Sequence, residues 1–406
     1  MRAAVRRARH AGATLGAVLT GAGLIGALAG CTSDTTFDKP PSARELIRVT
    51  PDDRTKDVRT QQPLRVTVPE GRLRSVRVVE VRDAEERAVP GRLEHDAMRW
   101  RPAGRDRLAL AAQYRVDAVA VDGHGRRVAR HTTFTTDVPD KRFIGYVTPE
   151  HRARVGTGMI VRIAFNRRIE NRAAVQRAIR VTARPRVAIA PHWFGHDRLD
   201  FRPRRYWRPG TRVTVDLGLR DVRAVPGVYG RQDKTFTFTV GRSQVSVVDA
   251  AAHTMRVFRN GRLAEAVPIT AGAPTSTTYN GKMVVSEMLD VTRMDGRTVG
   301  FGGEYDIPDV PHAIRLTDSG TFLHGNYWSG GVFGNSNVSH GCVGLRDVKG
   351  GGSWTPAGRF FDRTLIGDVV EVRNSADKKV AADNGLGGWN MDWKRWRAGG
   401  ARAGGA

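Results

Sequence analysis

Apolar and polar residues alternate in short runs along the first half of the chain. Between about Arg44 and Asp137 the runs are Leu64-Arg65-Val66-Thr67-Val68, Ser75 to Val81, Tyr114 to Val121 and Thr132 to Thr136, divided by Gly, Pro and Asp. A period of two sends successive side chains to opposite faces of a strand. Short strands broken by turn residues predict an all-β sandwich. The pattern then repeats from about Arg142 to Val240. Trp100-Arg101-Pro102 is followed by Phe134 in a Thr-Thr-Phe-Thr-Thr run, and Phe201-Arg202-Pro203 is followed by Phe236 in Thr-Phe-Thr-Phe-Thr. The two anchors lie about 101 residues apart, the size of one immunoglobulin-like unit. Tandem sandwiches over 44–138 and 139–241 are predicted; two unrelated β modules or one larger β unit are the alternatives.

The alternation continues from Gln244. Val245 to Val248, Thr254 to Phe258 and Arg262 to Ile269 predict strands, and Asn260-Gly261 between the last two is a two-residue hairpin turn. Lys282 to Leu289, Thr321 to Leu323 and Asp368 to Arg373 add further strands, and a short helix is expected between Thr355 and Leu365. The whole is mainly β, with a mixed β unit over 242–373. In the tail, 374–406, Trp389, Trp393 and Trp396 fall at helical spacing. Such residues are not left in solvent. An amphipathic helix folding back on 242–373 is predicted, with a wall- or membrane-surface anchor as the rival.

The amino terminus reads as a targeting segment. Arg2, Arg6, Arg7 and Arg9 precede a small apolar stretch, Ala11 to Ala27. Leu28-Ala29-Gly30-Cys31 resembles a bacterial lipobox, which implies export, removal of 1–30, lipidation of Cys31 and a membrane anchor facing the wall; a plain secretory signal with an incidental Cys, or a single membrane helix, is the alternative. Residues 31–43 are a polar tether. The net charge of +25 adds little to this picture. No basic run is interleaved with aromatics and no nucleic-acid motif occurs, so nucleic acid is excluded as a partner; attraction to an anionic wall or membrane surface fits better.

Candidate chemistry centres on Ser339-His340-Gly341-Cys342. The chain has two cysteines, and with Cys31 lipidated Cys342 has no disulfide partner. His324-Gly325 lies upstream, across a loop-like stretch rich in Gly, Asn and Ser that returns His324 toward the thiol. A thiol with a pKa of about 8.5 is mostly protonated at neutral pH, and an adjacent imidazole activates it. His340 and Cys342 share a strand face by spacing, Gly341 lets a substrate approach, and backbone N–H groups near Cys342 suit an oxyanion. An inert cysteine with two unrelated histidines stays open, as does a three-ligand zinc site. His192, Trp193, His196, Asp197 and Asp200 are read as a surface loop before a metal site.

His324 through Cys342, in this order and spacing, resembles the signature of the L,D-transpeptidase (YkuD-type) catalytic domain, and the two repeats and Trp-rich tail resemble its multi-domain actinobacterial lipoprotein members. The resemblance implies a peptidoglycan enzyme that joins stem peptides by 3→3 crosslinks through a Cys342 thioester. It implies His340 as base, Ser339 in support, and Gly341 with the Cys342 N–H at the oxyanion. His324 and Gly325 then line the facing wall. Met294 opens a lid over about 298–321, Tyr305 sits in the substrate pocket, and Trp328 is the aromatic after the first motif. No metal or organic cofactor is implied, and carbapenems are expected to acylate the thiol. One position departs from the family, which usually has Asn or Arg where this chain has Gly344; Arg346 is the nearest replacement. An L,D-carboxypeptidase on the same scaffold, a zinc-dependent wall hydrolase and a non-catalytic wall-binding lipoprotein are the alternatives.

Overall fold

The computed structural model describes residues 42–104, 107–299 and 302–401. The leader, Cys31 and the first part of the tether lie outside the described residues.

Two β sandwiches come first. One sheet of the first joins Arg48–Thr50, Arg65–Thr67, Arg99–Pro102 and Gly91–Glu94, and the other joins Glu85–Ala88, Arg72–Arg82, Gln113–Val121 and Arg127–Thr135. The inward residues of the period-two pattern close the core: Val66, Trp100, Val116 and Phe134 are all buried. The second sandwich sets Gly145–Thr148, Val161–Phe165, Arg198–Pro203 and Ile189–Phe194 against Arg154–Val155, Asp233–Val240, Arg212–Gly218 and Ile179–Arg184. Its core has Phe201 and Trp207. Here Phe238, and not the anchor Phe236, is the deeply buried aromatic of the Thr-Phe-Thr-Phe-Thr run. The two units form separate hydrophobic clusters.

The third unit is one nine-stranded sheet. Its strands are β1 (Gln244–Asp249), β2 (Thr254–Arg259), β3 (Arg262–Thr270), β4 (Gly281–Val284), β5 (Glu287–Asp295), β6 (Asp306–Arg315), β7 (Phe322–Asn326), β8 (Val343–Arg346) and β9 (Val369–Arg373). Their order is β4-β9-β1-β2-β3-β8-β7-β6-β5. Asn260 and Gly261 both have positive φ, as the predicted β2–β3 turn requires. The expected single strand over Lys282–Leu289 breaks at Val285-Ser286 into β4 and β5. These two strands are the opposite ends of the sheet order, so a two-residue link between them forces the sheet to curl round on itself as a half-barrel. Val285 is held by Asp368 and Gly367 backbone, whereas Ser286 already donates to Arg315 on the far edge. The predicted helix is α1 (Pro356–Asp362), capped by the Thr355 hydroxyl, which accepts from the Gly358 N–H. The span expected as a lid, 298–321, contains β6, a 10-residue strand paired along its length with β5 and at Ile314 and Arg315 with β7; outside the sheet lie the end of a short 3-10 turn, Gly296–Val299, the residues leading to Asp306 and the turn after Arg315.

The tail corrects the sequence reading twice. It is not one helix: Trp389 sits in a 3-10 turn, Gly387–Asn390, and Trp393 and Trp396 lie on α2 (Trp393–Ala398), which starts afresh at its Asp392 cap. Nor do the tryptophans pack on the third unit. They close around Arg202 of the second sandwich, whose guanidinium lies 4.6, 5.4 and 4.4 Å from the rings of Trp389, Trp393 and Trp396. Trp396 stacks on His192 and donates to the Ala190 carbonyl. The reason is apolar demand: the face of the Ile189–Phe194 strand is uncovered within its own sandwich, and the tail covers it. Other tail residues do reach the third unit: Val380 is buried in its core and bonds the Asn280 carbonyl through its N–H. Asn390 brackets the Lys282 backbone with two hydrogen bonds of 2.8 and 2.7 Å, and Asn384 exchanges two with Ser319.

Candidate active site

The site is built where β7 and β8 run parallel, with Leu323 opposite Val343, His324 opposite Gly344 and Asn326 opposite Arg346. Paired residues share a face, and so do residues two apart. Leu323, Val343 and Leu345 therefore fill the core, while His324, Gly344 and Asn326 occupy the other face together with Cys342, which immediately precedes β8. The Cys342 sulfur accepts from the Phe322 N–H at 3.4 Å, and its thiol is directed at the Gly320 carbonyl at 3.7 Å. Burial pushes the thiol up to about 11, so the resting group is protonated.

His324 is buried, and its Nδ1 lies 2.9 Å from the Gly325 carbonyl. A carbonyl only accepts, so Nδ1 carries the proton and Nε2 is left as the acceptor. Burial also holds the imidazole below its ordinary range, which keeps it neutral. The Trp328 ring is stacked on it, centroids 5.7 Å apart and 12° from parallel. His340 has a different setting. It is partly exposed, its Nε2 lies 3.1 Å from Glu304, and its ring meets Tyr305 at 4.8 Å.

Ser339 is a clamp for the loop. Its hydroxyl donates to the Cys342 carbonyl at 2.6 Å and accepts from the Gly341 N–H. Its backbone pairs with Ala271 and Ala273 at the end of β3. Gly341 has φ of 105°, a region that side chains disfavour, so this turn requires glycine. His324 Nδ1 faces a carbonyl and His340 faces Glu304, and among the described residues no group of three or more His, Cys, Asp or Glu is arranged to hold a metal.

A bacterial Ig domain family matches residues 55–223, and the L,D-transpeptidase catalytic domain family (YkuD) matches residues 243–372. L,D-transpeptidase 2 of Mycobacterium tuberculosis is 32% identical over 351 residues, 85% of this chain and 82% of that protein. The chain belongs to the L,D-transpeptidase family. L,D-transpeptidase 5 of the same species is 29% identical, covering 91% of this chain and 80% of its own. A solved LD transpeptidase in complex with imipenem is 30% identical, covers 58% of this chain and all of that one, with a TM-score of 0.48.

The rim of this L,D-transpeptidase site differs from the sequence reading in several places. Gly325 does not line a substrate wall. It faces the other side of the sheet, where a Cβ would fall on the Asp347 carboxylate, and it serves the site through its carbonyl. Arg346 is exposed and its guanidinium lies 5.6 Å over Phe333. Met294 is a half-buried member of the β5–β6 ladder opposite Ile307. Tyr305 stands beside both His340 and the thiol, and burial raises its hydroxyl to about 12. The serine bonds its own loop, not His340, because the turn aims its hydroxyl inward. The histidine–aspartate cluster of the second sandwich is structural: His196 meets Arg168 and Arg172, and Asp200 is paired with Arg198. Three contributors escaped the sequence reading: the Gly320 carbonyl, Glu304 and Asn326. Only Asn326 left a sequence signal, sitting two residues past His324 and so on the same strand face.

Proposed function

We propose that this enzyme forms peptidoglycan 3→3 crosslinks with Cys342 as nucleophile and His324, not His340, as general base. The observation that carries the assignment is the His324 Nδ1 bond to the Gly325 carbonyl, on the face that bears Cys342. That bond fixes Nε2 as the proton acceptor in a dry setting, whereas His340 is engaged by Glu304.

In the acylation step the thiol turns from Gly320 and gives its proton to His324 Nε2. The sulfur bonds to the carbonyl carbon between the third and fourth donor residues. The backbone N–H of Cys342 stabilises the oxyanion; the Gly341 N–H is held by Ser339. The C–N bond breaks, and D-Ala leaves with the proton from His324. In the second step the side-chain amine of an acceptor stem attacks the thioester and loses a proton to His324; the C–S bond breaks, and the released sulfur takes that proton back from His324. Ser339 holds the Cys342 carbonyl throughout.

Incubation with a carbapenem is expected to give one covalent adduct by intact mass, located at Cys342 and absent from Cys342→Ala. A folded wild-type protein that takes no adduct sinks the nucleophile. The Leu28-Ala29-Gly30-Cys31 run supports export and a lipid anchor at Cys31 facing the wall. Mass analysis of the amino-terminal peptide from cells tests this, and an unmodified Cys31 or a cleavage site elsewhere refutes it.

A further inference from the structure

Asn326 is 3% exposed, yet only half of its carboxamide is used. Oδ1 accepts from the N–H groups of Trp328 and Ser329, at 3.2 and 3.0 Å. Nδ2 has no hydrogen-bond partner among the described residues. Nδ2 is not one of the sealed, unpartnered polar atoms of the structure, so it opens on solvent and a ligand can reach it. The surroundings show why it is reachable. A Cβ at Gly344 would stand 3.3 Å from Asn326 Nδ2 and 2.9 Å from Thr270 Cγ2. The absent side chain at 344 is therefore the space into which the amide points. Gly344 lies opposite His324 and two residues past Cys342, so the donor borders the reacting pair.

We propose that Asn326 binds the donor stem, its Nδ2–H donating to a backbone carbonyl of the peptide beside the bond that Cys342 attacks. A neutral amide N–H suits a peptide carbonyl, and Arg346, the cation nearest in register, is turned over Phe333. Gly344 and Asn326 then form one unit: the glycine opens the gap and the neighbouring strand supplies the polar group. The inference rests on this face being the catalytic one.

The test uses the full chain with a tetrapeptide stem as donor and an amine acceptor. Asn326→Asp keeps the Oδ1 acceptor and removes the donor; Asn326→Ala removes both; Gly344→Ala fills the gap while leaving the amide intact. Compared on the plateau of each pH profile, all three are expected to lower kcat/KM about ten-fold, mainly through KM, the size of one lost hydrogen bond. Iodoacetamide labelling of Cys342, read by peptide mapping, is expected to stay within two-fold of wild type. Wild-type kcat/KM in Asn326→Asp overturns the proposal, and with Asn326→Ala impaired it reduces Asn326 to a clamp on Trp328. Labelling that slows in parallel with turnover also overturns it. Failure of the parent reading looks different: wild type itself then forms no thioester with the stem.

Discussion

At the scale of single residues, the two histidines are separated by environment and not by distance along the chain. Burial and the Gly325 carbonyl make His324 a neutral ring with a free acceptor. The thiol is held protonated, up to about 11. Acylation by a carbapenem should thus be flat through neutral pH, with its acid limb below the ordinary imidazole value of about 6.5. The sign follows from the base: its neutral form is the active one, and a lowered pKa keeps that form down to lower pH. His324→Gln should slow acylation at least 100-fold, and His340→Gln far less. A limb at or above 6.5 that vanishes in His340→Gln would return the proton to the exposed ring. Much of this site was legible. The spacing of His324, His340 and Cys342 marked a thiol with histidines beside it. What the spacing left open was which ring is dry, since that depends on Trp328 stacking over one and Glu304 meeting the other.

At the scale of elements, the turn between β6 and β7 links distant parts to the nucleophile. Gly320 receives the thiol, Ser319 is held by Asn384 of the tail, and Asp318 lies 3.4 Å from Arg162 and 3.9 Å from Arg198 of the second sandwich. Asp318→Ala with Asn384→Ala should loosen this turn and slow acylation several-fold without loss of fold by circular dichroism. An unchanged rate would limit these contacts to packing. The helix α1 depends on Thr355, whose hydroxyl caps Gly358 and donates to Asp347. Thr355→Ala should cost about 1 to 2 kcal/mol in a urea titration. Most strands and α1 could be read from period and cap residues. The break at Val285-Ser286 could not, because Lys282 to Leu289 is apolar enough in Met, Val and Leu to read as one strand; closure of the curled sheet decides where it divides.

At the scale of the molecule, the second sandwich, the tail and the catalytic unit are joined by polar contacts through a buried seam. Gly156 and Gly158 donate to the backbone of Ile366 and Gly367, and Arg242 meets both Asp368 oxygens at 2.9 Å. Burial raises Asp368 to about 6. A folded value above the unfolded one contributes stability below about 4 that is lost as pH rises to about 6, so at neutral pH Arg242 must hold the ionised carboxyl. Arg242→Met should therefore destabilise this seam by about 3 kcal/mol at pH 7, and much less at pH 4, in denaturant titrations. Equal losses at both pH values would mean the ion pair is not the cause. Trp396→Ala should cost about 3 to 5 kcal/mol, since the ring is fully buried against His192 and Arg202.

The sequence alone determined the β content, the repeated sandwich and the thiol chemistry, because each rests on local spacing: a period of two, turn residues, and Ser-His-Gly-Cys in reach of His324. Tertiary structure decided the rest. It set which histidine is sheltered, that the tail's tryptophans close on the second sandwich, and that the Asn326 amide faces the space Gly344 leaves. Those outcomes depend on which surfaces meet across strands far apart in the chain, and desolvation and close contact there have no local signature.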